Sequence, residues 1–368
     1  MDVTRLLQEM VRVNSVNPGL TAGAPGEPEI VALLRRHLAN LDVELTVLEG
    51  TPGRPTLVAT RRGTGGGRSL MLNAHTDTVG VEGMPEPFSG RVEGGRLYGR
   101  GSYDMKGGLA AAVAAFAEIA RGPALRGDLV LAAVADEEFA SLGTEELLRH
   151  VRTDAAIVTE PTAMDLCVAH KGFLWVEIRV KGRAAHGSRP DLGIDANLEM
   201  GRVLCRLGDL GMSLGERVPH PLLGHGSLHA ATLRGGTAWS TYSGECVLQV
   251  ERRLLPGEDA TVALGEIAAA AAPHEARRIF HREQFEAKAG TAFMELVQTE
   301  VAAVRGREPA LCGQMPWFDA ALLAGAGIET LILGHGGAGA HELEEWAELS
   351  SLGELTCALV GIARTFCA

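Results

Sequence analysis

Short apolar segments alternate with longer helical patterns through the first 160 residues of this chain. An apolar run of about five residues predicts a buried strand, and the longer patterns between such runs predict helices. Strands that are separated by helices form largely parallel sheets with helices packed on their faces. The predicted strands are Val43–Leu48, Thr56–Thr60, Ser69–Asn73, Leu129–Ala135 and Ala155–Thr159, and the predicted helices are Thr4–Val13, Pro28–Leu41, Gly107–Arg121 and Thr144–His150. The sequence therefore predicts an α/β fold whose mostly parallel sheet is flanked by helices.

The pattern changes near residue 172 and changes back near residue 282. Leu174–Val180 and residues 244–254 alternate apolar and polar side chains, as antiparallel strands with one exposed face do. Helical patterns lie at Ile194–Leu207 and Asp259–Ala272, and beyond residue 282 the alternation of helices with short apolar runs resumes. A chain of 368 residues is long enough for two cores. We therefore expect an α/β domain at 1–171 and 283–368, interrupted by an inserted α+β domain at 172–282.

Composition excludes several classes of function. The formal net charge is -12 and no basic run is present, so a nucleic-acid partner is not expected. No uncharged apolar stretch reaches the roughly 18 residues that a membrane span needs. The first residues also lack the apolar core of a signal peptide. Six scattered cysteines without a paired motif indicate free, mostly buried thiols. We therefore expect a cytoplasmic protein that does not bind membranes.

Acidic residues and histidines follow the ends of four predicted strands, three of those given above and a fourth at Thr330–Leu333. In a doubly wound sheet the carboxyl ends of the strands meet at one edge, where ligands bind. Unpaired charges beside buried strands cost several kcal/mol, and buried charges are normally paired or bound to metal. The residues are His75 and Asp77, Asp136–Glu138, Glu160, and the pair His335 and His341, with Asp104 in a glycine-rich segment before a helix. Imidazoles together with carboxylates favour zinc, manganese or cobalt.

Six motifs, in order along nearly the whole chain, resemble a zinc metallopeptidase family. This family includes acetylornithine deacetylase, succinyl-diaminopimelate desuccinylase, aminoacylase and glutamate carboxypeptidase. The motifs are HTDTV, GRGSYDMKGG, DEE, TEP, AHGSRP and a late AH. The resemblance implies a catalytic α/β domain of the di-zinc exopeptidase type. It also implies that the inserted α+β domain acts as a lid and joins two copies of the chain into a homodimer.

The resemblance further implies which residues hold two divalent metal ions, with zinc preferred over cobalt or manganese. Asp104 is similar to the family's bridging carboxylate, which contacts both ions. His75 and Glu160 would complete one site, and Glu138 and His341 would complete the other. The aminopeptidase branch of the family tends to have Asp where this chain has Glu160, whereas the deacylase and carboxypeptidase branches have Glu.

Two further residues receive roles in catalysis from the resemblance. Asp77 would hold the imidazole of His75 without binding a metal ion itself, since positions two apart on an extended segment point the same way. Glu137 would be the general base that takes a proton from a metal-bridging water. Two alternatives stay open: Glu137 could exchange roles with Glu138, and His335 could be the ligand in place of His341. The family's turn usually reads GPG where this chain has GHG, and we interpret His335 as a pocket-lining residue.

The inserted domain is expected to contribute to the active site. His186 in AHGSRP corresponds to a histidine that the family presents across the dimer, to stabilise the oxyanion of the tetrahedral intermediate. The alternative is an exposed loop histidine without a role. Arg253 in ERRLLPGE would bind the substrate carboxylate, and Arg252 should face the opposite way, toward solvent. Gly336, in the turn Gly334–Gly339, is a further candidate for substrate binding.

The sequence thus predicts metal-dependent hydrolysis of the amide bond of an N-acyl amino acid, similar to that of acetylornithine deacetylase. A dipeptidase or carboxypeptidase using the same site is the nearest alternative. A catalytically silent metal-binding homologue is a second alternative, although such a protein has no use for a base at Glu137. The expected partners are a small N-acylated amino acid or dipeptide and a second copy of the chain.

Overall fold

The computed structural model describes residues 1–368. The helices are α1 (Val3–Arg12), α2 (Pro28–Leu38), α3 (Gly107–Arg121), α4 (Leu142–His150), α5 (Ala196–Gly215), α6 (Ala260–Ala271), α7 (Ala292–Arg305), α8 (Ala320–Gly325) and α9 (Leu349–Phe366). The strands are β1 (Glu44–Leu48), β2 (Thr56–Arg61), β3 (Leu70–His75), β4 (Arg91–Glu93), β5 (Arg96–Tyr98), β6 (Leu129–Val134), β7 (Ala155–Val158), β8 (Leu166–His170), β9 (Gly172–Lys181), β10 (Ser227–Gly235), β11 (Glu245–Leu254), β12 (Glu275–Arg282), β13 (Phe285–Glu286), β14 (Leu311–Gln314), β15 (Glu329–Ile332), β16 (Gly337–Ala338) and β17 (Trp346–Glu348).

The chain divides into two compact units. Unit 1 consists of Met1–Val168, Ala287–Cys312 and Phe318–Ala368, and unit 2 consists of Ala169–Glu286 and Gly313–Trp317. The short segment Gly313–Trp317 lies outside the predicted range of the inserted domain. It belongs to unit 2 because the ring of Trp317 packs edge-on against that of Phe173, 6.2 Å between centroids.

The large sheet of unit 1 has the strand order β1-β2-β6-β3-β7-β15-β8. Its central strands β6, β3, β7 and β15 run parallel, while β1, β2 and β8 pair antiparallel at the sides. The central strands are almost completely buried, as their continuous apolar sequences predict. The predicted α/β fold is therefore confirmed, with antiparallel strands added at both sides of a parallel centre.

Helix α3 packs closely against the large sheet and against α9. Thirteen of its residues are buried, mostly alanines, which favour helix and allow close approach. Two glycines at its start are required by that approach. A Cβ on Gly108 would lie 1.9 Å from the carbonyl oxygen of Thr159, and one on Gly107 would lie 2.1 Å from Nε2 of His335. The helix therefore begins directly against the segments that follow β7 and β15.

A small antiparallel sheet, which the sequence analysis did not predict, also belongs to unit 1. Its strand order is β16-β17-β5-β4. Strand β17 pairs with β5 over three residues, with Ala347 opposite Leu97. Strands of two or three residues carry too little periodicity to be recognised in a sequence. This sheet joins the chain just before Asp104 to the chain just after His341.

Unit 2 contains a four-stranded antiparallel sheet in the order β10-β11-β9-β12. Helices α5 and α6 pack on one face, and each begins at an aspartate that caps two main-chain N–H groups, Asp195 and Asp259. The apolar side chains of β9 alternate into the core beneath these helices, as predicted for Leu174–Val180. On the other face, the rings of Phe173, Trp175 and Phe280 stack within 5.9 Å of one another.

Two expectations about the whole chain can be compared with the structure. None of the six cysteines forms a disulfide, but only Cys167, Cys246 and Cys367 are buried, so burial is less general than predicted. None of the helices combines the length and the hydrophobicity that crossing a membrane requires.

Candidate active site

The predicted metal-binding residues of unit 1 lie where the strands of the large sheet end. His75 is the last residue of β3, and Glu160 lies two residues beyond β7. Glu138 lies in the turn after β6, which begins at Asp136 with a left-handed φ of 70°. Because β6, β3 and β7 are neighbouring parallel strands, these three side chains emerge at one edge. The sheet therefore brings together residues that are up to 85 positions apart in sequence.

The structure joins the five predicted ligands into two groups that share Asp104. In one group Nε2 of His75 lies 3.3 Å from Oδ1 of Asp104 and 3.6 Å from Oε1 of Glu160. In the other, Nε2 of His341 lies 3.4 Å from Oδ2 of Asp104 and 3.1 Å from Oε2 of Glu138. Within each group the candidate ligand atoms all lie within 4.8 Å of one another. Asp104 thus offers one oxygen to each group, which is the arrangement of a bridging carboxylate.

Glu137 lies beside these groups but belongs to neither of them. Its Oε2 is 4.0 Å from Nε2 of His75, and its side chain is buried. Burial raises the pKa of Glu137 well above its usual range, although the charge of His75 opposes this shift. A carboxylate with a raised pKa is a stronger base, and it is available for proton transfer because it binds no neighbouring group directly.

The polar atoms of this cluster fit a site for cations. Three buried carboxylate oxygens have no hydrogen-bond partner: Oε1 of Glu137, Oε1 of Glu138 and Oε2 of Glu160. Burial raises the pKa of Glu138 and Glu160 as well, and the negative charge of Asp104 adds to the effect. Buried carboxylates without partners are costly unless a cation neutralises them. Two imidazoles and three carboxylates are ligands that zinc, cobalt and manganese accept.

The two histidines of the cluster are held by these carboxylates. Hydrogen bonds to Asp104 and Glu138 raise the pKa of His341 to about 10. Burial alone would lower the pKa of His75, but its hydrogen bond to Asp104 and the charge of Glu160 raise it well above its usual range. Both imidazoles therefore bind protons strongly in this acidic surrounding, and a metal ion has to displace those protons.

Asp77 connects the end of β3 to the turn that carries Glu137 and Glu138. Its Oδ1 and Oδ2 accept hydrogen bonds from the main-chain N–H groups of Glu137 and Glu138, both at 3.2 Å. The carboxylate lies 3.6 Å from Nδ1 of His75, whereas the main-chain oxygen of Asp77 lies 3.0 Å from that nitrogen. Asp77 therefore holds His75 through its main chain and supports the turn through its side chain.

Two residues outside the predicted site support Asp77 and the neighbouring Asp136. The side-chain nitrogen of Asn17 donates to Oδ2 of Asp77 at 2.7 Å and to Oδ1 of Asp136 at 3.0 Å. The guanidinium of Arg54 pairs with Asp136 at 2.7 Å and with the buried Glu27 at 2.6 Å. One cation thus offsets part of the charge of two buried carboxylates. Neither residue lies in a recognised motif, so no sequence signal pointed to it.

Near the late glycine turn, the structure brings His341 into the cluster and leaves His335 outside it. His335 is buried, with Nδ1 2.7 Å from the carbonyl oxygen of Gly336, and burial lowers its pKa to about 4. It packs edge-on against Tyr103, and its side chain is fully buried. The N–H of Gly336 donates to Ser351, and its carbonyl also accepts from Glu348. Both main-chain groups of Gly336 are therefore paired, which does not support a substrate-binding role.

His186 belongs to unit 2 and is exposed on the loop after β9. Its Nδ1 accepts a hydrogen bond from the main-chain N–H of Ser188 at 3.2 Å. An imidazole that accepts at Nδ1 carries its hydrogen on Nε2 in the neutral form. The loop is joined to the segment before β11, because the N–H of Gly187 donates to the carbonyl oxygen of Ser240 at 2.6 Å. His186 thus presents an N–H donor on a loop that is fixed at its base.

The orientation predicted for the arginine pair of β11 is wrong. Arg252 is buried under the helices, where it pairs with Glu258 at 2.7 Å and Glu266 at 2.6 Å. Arg253 is half-buried on the open face of the sheet, beside Phe173, and its Nε bonds Glu251 at 2.7 Å. The covered face accepts an arginine because α6 and the turn before it bring two carboxylates to it. The two arginines do lie on opposite faces, as the strand alternation predicted. The partner carboxylates, however, place Arg252 and not Arg253 on the buried face.

Known proteins are similar to this chain in sequence and in fold. The family model described as peptidase family M20/M25/M40 matches residues 71–365. An acetylornithine deacetylase of Photorhabdus laumondii is 32% identical over 267 residues, which cover 68% of this chain and 67% of that protein. The M20 family metallo-carboxypeptidase Sso-CP2 of Sulfolobus solfataricus superposes with a TM-score of 0.80 at 18% identity, covering 100% of this chain and 99% of that one.

A second solved structure is described by name as binding two metal ions. The YXEP protein of Bacillus subtilis, a dinuclear metal-binding peptidase of the M20 family, has a TM-score of 0.71 and is 17% identical, with 99% and 98% of the two chains covered. The resemblance seen in the six motifs is confirmed by the family match. The chain belongs to peptidase family M20/M25/M40 and is a metal-dependent hydrolase.

Proposed function

We propose that this enzyme hydrolyses the amide bond of an N-acyl amino acid, as a deacylase similar to acetylornithine deacetylase. The observation that carries the proposal is the shared position of Asp104 between two ligand groups, with Glu137 beside both and bound to neither. The deacetylase name of the relative that is 32% identical supports the choice of substrate class. Hydrolysis of a dipeptide by the same site is the alternative, and a panel of substrates distinguishes the two reactions.

Two divalent ions, preferably zinc, would be held by the two groups. His75 and Glu160 would bind one ion and Glu138 and His341 the other, with Asp104 between them. The unpartnered carboxylate oxygens of Glu138 and Glu160 support this assignment. When bound, the ions polarise the scissile carbonyl and lower the pKa of the attacking water.

Glu137 would move the proton in the reaction. Its carboxylate takes a proton from the attacking water and then gives it to the leaving nitrogen, which makes one residue both base and acid. Its burial and raised pKa support this role, because a base is most effective when its pKa lies near the working pH. The hydrogen bond from the Glu137 N–H to Asp77 holds the main chain of the base in place.

His186 would stabilise the oxyanion of the tetrahedral intermediate in the partner chain of a homodimer. The N–H on its Nε2 is a suitable donor, and donors of this kind contribute about 10²–10³-fold to turnover. The dimer is supported by β10, an edge strand of unit 2 whose residues are almost all exposed. Leu233 on β10 and Leu198 on α5 are also exposed, at 54% and 70%. An exposed, long edge strand is a surface on which a second strand can pair.

Mixing two inactive variants tests the dimer. His186→Ala and Glu137→Gln chains should each be nearly inactive alone, and a mixture should regain activity, because one site in each mixed dimer is complete. Exchange of chains should be followed by native mass spectrometry. Exchange without any gain in activity would show that His186 does not act across the dimer.

Arg253 would bind the α-carboxylate of the substrate. Its position on the open face of the unit 2 sheet supports this, whereas Arg252 is occupied by two glutamates. Hydrogen bonds to charged groups contribute about 1.5–3 kcal/mol. Arg253→Ala should therefore raise KM for an α-carboxylate substrate roughly 10–150-fold, with less effect on the corresponding amide.

A substrate panel tests the function itself. The metal-loaded enzyme should be assayed with N-acetyl and N-succinyl amino acids and with dipeptides, each as the free acid and as the amide. We expect the highest kcat/KM on an N-acyl amino acid with a free carboxylate. A preference for dipeptides would assign the enzyme to the peptidases of the family, and hydrolysis of no linear amide would overturn the proposal.

The absence of disulfides bears on the compartment. We propose the cytoplasm, because six thiols without a disulfide are typical of reducing compartments. Disulfides in the protein isolated from its native source, detected by mass spectrometry, would contradict this location.

A further inference from the structure

Glu345 is a buried carboxylate that binds the segment carrying Asp104. Its Oε1 accepts hydrogen bonds from the main-chain N–H groups of Tyr103 at 2.9 Å and Asp104 at 3.0 Å. Its Oε2 accepts from the N–H of Gly101 at 3.0 Å and from the guanidinium of Arg100 at 2.6 Å. Four donors from five consecutive residues thus converge on one side chain. The main chain of Asp104 is therefore held by a group that is not itself a candidate ligand.

Arg100 extends this contact to the segment that carries His341. Its Nη2 donates to the carbonyl oxygen of Glu342, the residue after His341, at 2.9 Å. Its Nε donates to the carbonyl oxygen of Gly80 at 3.1 Å, and the main-chain N–H of Gly99 donates to the Glu345 carbonyl at 3.0 Å. Arg100 and Glu345 therefore tie two segments together that lie about 240 residues apart.

His341 needs such support more than the other ligands do. It lies on an irregular segment between β16 and β17, its side chain is 54% exposed, and its φ is 62°. A left-handed φ is uncommon for a residue other than glycine and persists only when the surroundings impose it. His75 and Glu160, in contrast, are positioned by buried strands. The Asp104–Glu138–His341 group thus depends on the contacts that fix the segment carrying Asp104 and the segment carrying His341.

The energetics of the buried pair favour a positioning role. The side chains of Arg100 and Glu345 are 4% and 0% exposed, so both charges lose their hydration. A buried ion pair is weak support for stability, because well-packed apolar residues are often as stable, whereas such pairs do fix geometry in several systems. All four contacts of Glu345 lie on the Asp104 segment, which supports a geometric function here.

We propose that Glu345, paired with Arg100, is a positioning residue that sets Asp104 and His341 at the spacing needed for them to share one ion with Glu138. This inference rests on the proposed metal-binding function. It assigns Glu345 no contact with substrate or metal. It predicts that loss of the Glu345 carboxylate weakens the Asp104–Glu138–His341 site more than the His75–Asp104–Glu160 group, because Asp104 belongs to both groups but buried strands position His75 and Glu160.

Stepwise metal titration of the full-length enzyme tests the proposal. Wild type and Glu345→Gln should be stripped of metal and titrated with Zn²⁺ against a competing chelator, with Co²⁺ absorption spectra as a second readout. Gln has the same size, but its NH₂ group replaces one acceptor oxygen and faces N–H donors. We expect the weaker dissociation constant to rise 10–100-fold and the tighter one to change less than about threefold. Glu344→Gln, an exposed neighbour, is the matched control and should bind both ions as wild type does.

Activity at saturating metal separates positioning from a general loss of structure. If Glu345 acts through the metal site, excess Zn²⁺ should restore most of kcat in Glu345→Gln. Arg100→Lys keeps the charge but loses the contacts to Gly80 and Glu342, and it should show the same selective weakening. It also serves as the test if Glu345→Gln does not fold.

Titrations that show no selective weakening of one metal site would overturn the proposal. Unchanged dissociation constants in both variants, or equal weakening of both sites, would show that Glu345 does not position the Asp104–Glu138–His341 group. A lower Tm of the metal-free variant without a selective effect on one ion would assign Glu345 to general stability. These results are distinct from failure of the proposed function. In that case wild type itself would bind fewer than two ions, or would bind two and hydrolyse no amide.

Discussion

The two halves of the candidate metal site differ in how the fold holds them. His75 and Glu160 extend from buried parallel strands, and each side chain is 1% exposed. Glu138 and His341 lie on a turn and on an irregular loop, and His341 is more than half exposed. The first half is therefore fixed by the core of unit 1, and the second by local contacts such as those of Glu345. We therefore expect the two halves to bind metal with unequal affinity, although they share Asp104.

The largest effect should follow from removing the residue that both halves share. Asp104→Ala should abolish detectable turnover and reduce bound metal to less than one ion per chain, because each group loses one of its three members. Elemental analysis after dialysis, together with circular dichroism to verify folding, measures this. Two ions per folded chain would show that Asp104 does not bridge them.

Glu137→Gln should leave both halves intact and stop the chemistry. Base catalysis contributes about 10²–10⁴-fold, so kcat should fall by that factor or more while two ions remain bound. The control is Glu138→Gln, the adjacent residue, which should lose metal as well as activity. If Glu138→Gln keeps both ions and Glu137→Gln loses one, the two glutamates have exchanged the roles assigned to them.

Replacing one histidine in each half should reveal the asymmetry directly. His75→Ala removes a buried ligand and should lose the tighter ion, with activity that excess Zn²⁺ does not restore. His341→Ala should keep the tighter ion and recover part of its activity at high Zn²⁺, because an exposed position can be replaced by water. Equal loss in both variants, measured by titration against a chelator, would mean that burial does not rank the sites.

The ligands that follow buried strands, in both halves of the site, could be predicted from the sequence because their signals are local. Apolar runs shortly before His75, Glu138 and Glu160 predict that these residues lie at the edge of a parallel sheet. This prediction requires no information about distant contacts. The open choice between His335 and His341 needed the structure, since both follow β15 closely. Burial and the bond to Gly336 direct His335 into the interior, which the sequence does not express.

Residues whose role depends on a distant partner could not be predicted. Arg54 and Glu345 are ordinary charged residues in the sequence, and Arg100 lies in the motif GRGSYDMKGG without a role assigned to it; only the fold shows that each meets a buried partner. The reversed orientation of Arg252 has the same origin. Strand alternation separates the two arginines, but the carboxylates of Glu258 and Glu266 decide which of them is buried. Periodicity thus predicts the faces of an element, and charge pairing across elements selects between them.

The smallest expected effect is a pH dependence of the stabilisation that metal gives. The folded protein raises the pKa of His75, and that of His341 to about 10, above their ordinary value of 6.5. A raised histidine pKa stabilises the folded state below pH 6.5, and that stability is lost as the pH rises through the folded pKa. Glu137, Glu138 and Glu160 act with the same sign from pH 4.5 upward. The metal-free site should therefore become less stable as the pH rises.

The stabilisation that metal gives should instead increase with pH, because metal binds the deprotonated ligands and competes with their protons. The difference in Tm between metal-loaded and metal-free enzyme should therefore grow from pH 6 to pH 9. Lys106, whose pKa burial lowers to about 7, contributes with the opposite sign to the metal-free protein. It donates to the carbonyls of Met10 and Val13, away from the ligands, so its contribution should largely cancel in the difference. His341→Ala should reduce the pH dependence by removing one competing proton. A difference in Tm that is constant from pH 6 to pH 9 would show that these histidines do not exchange protons for metal.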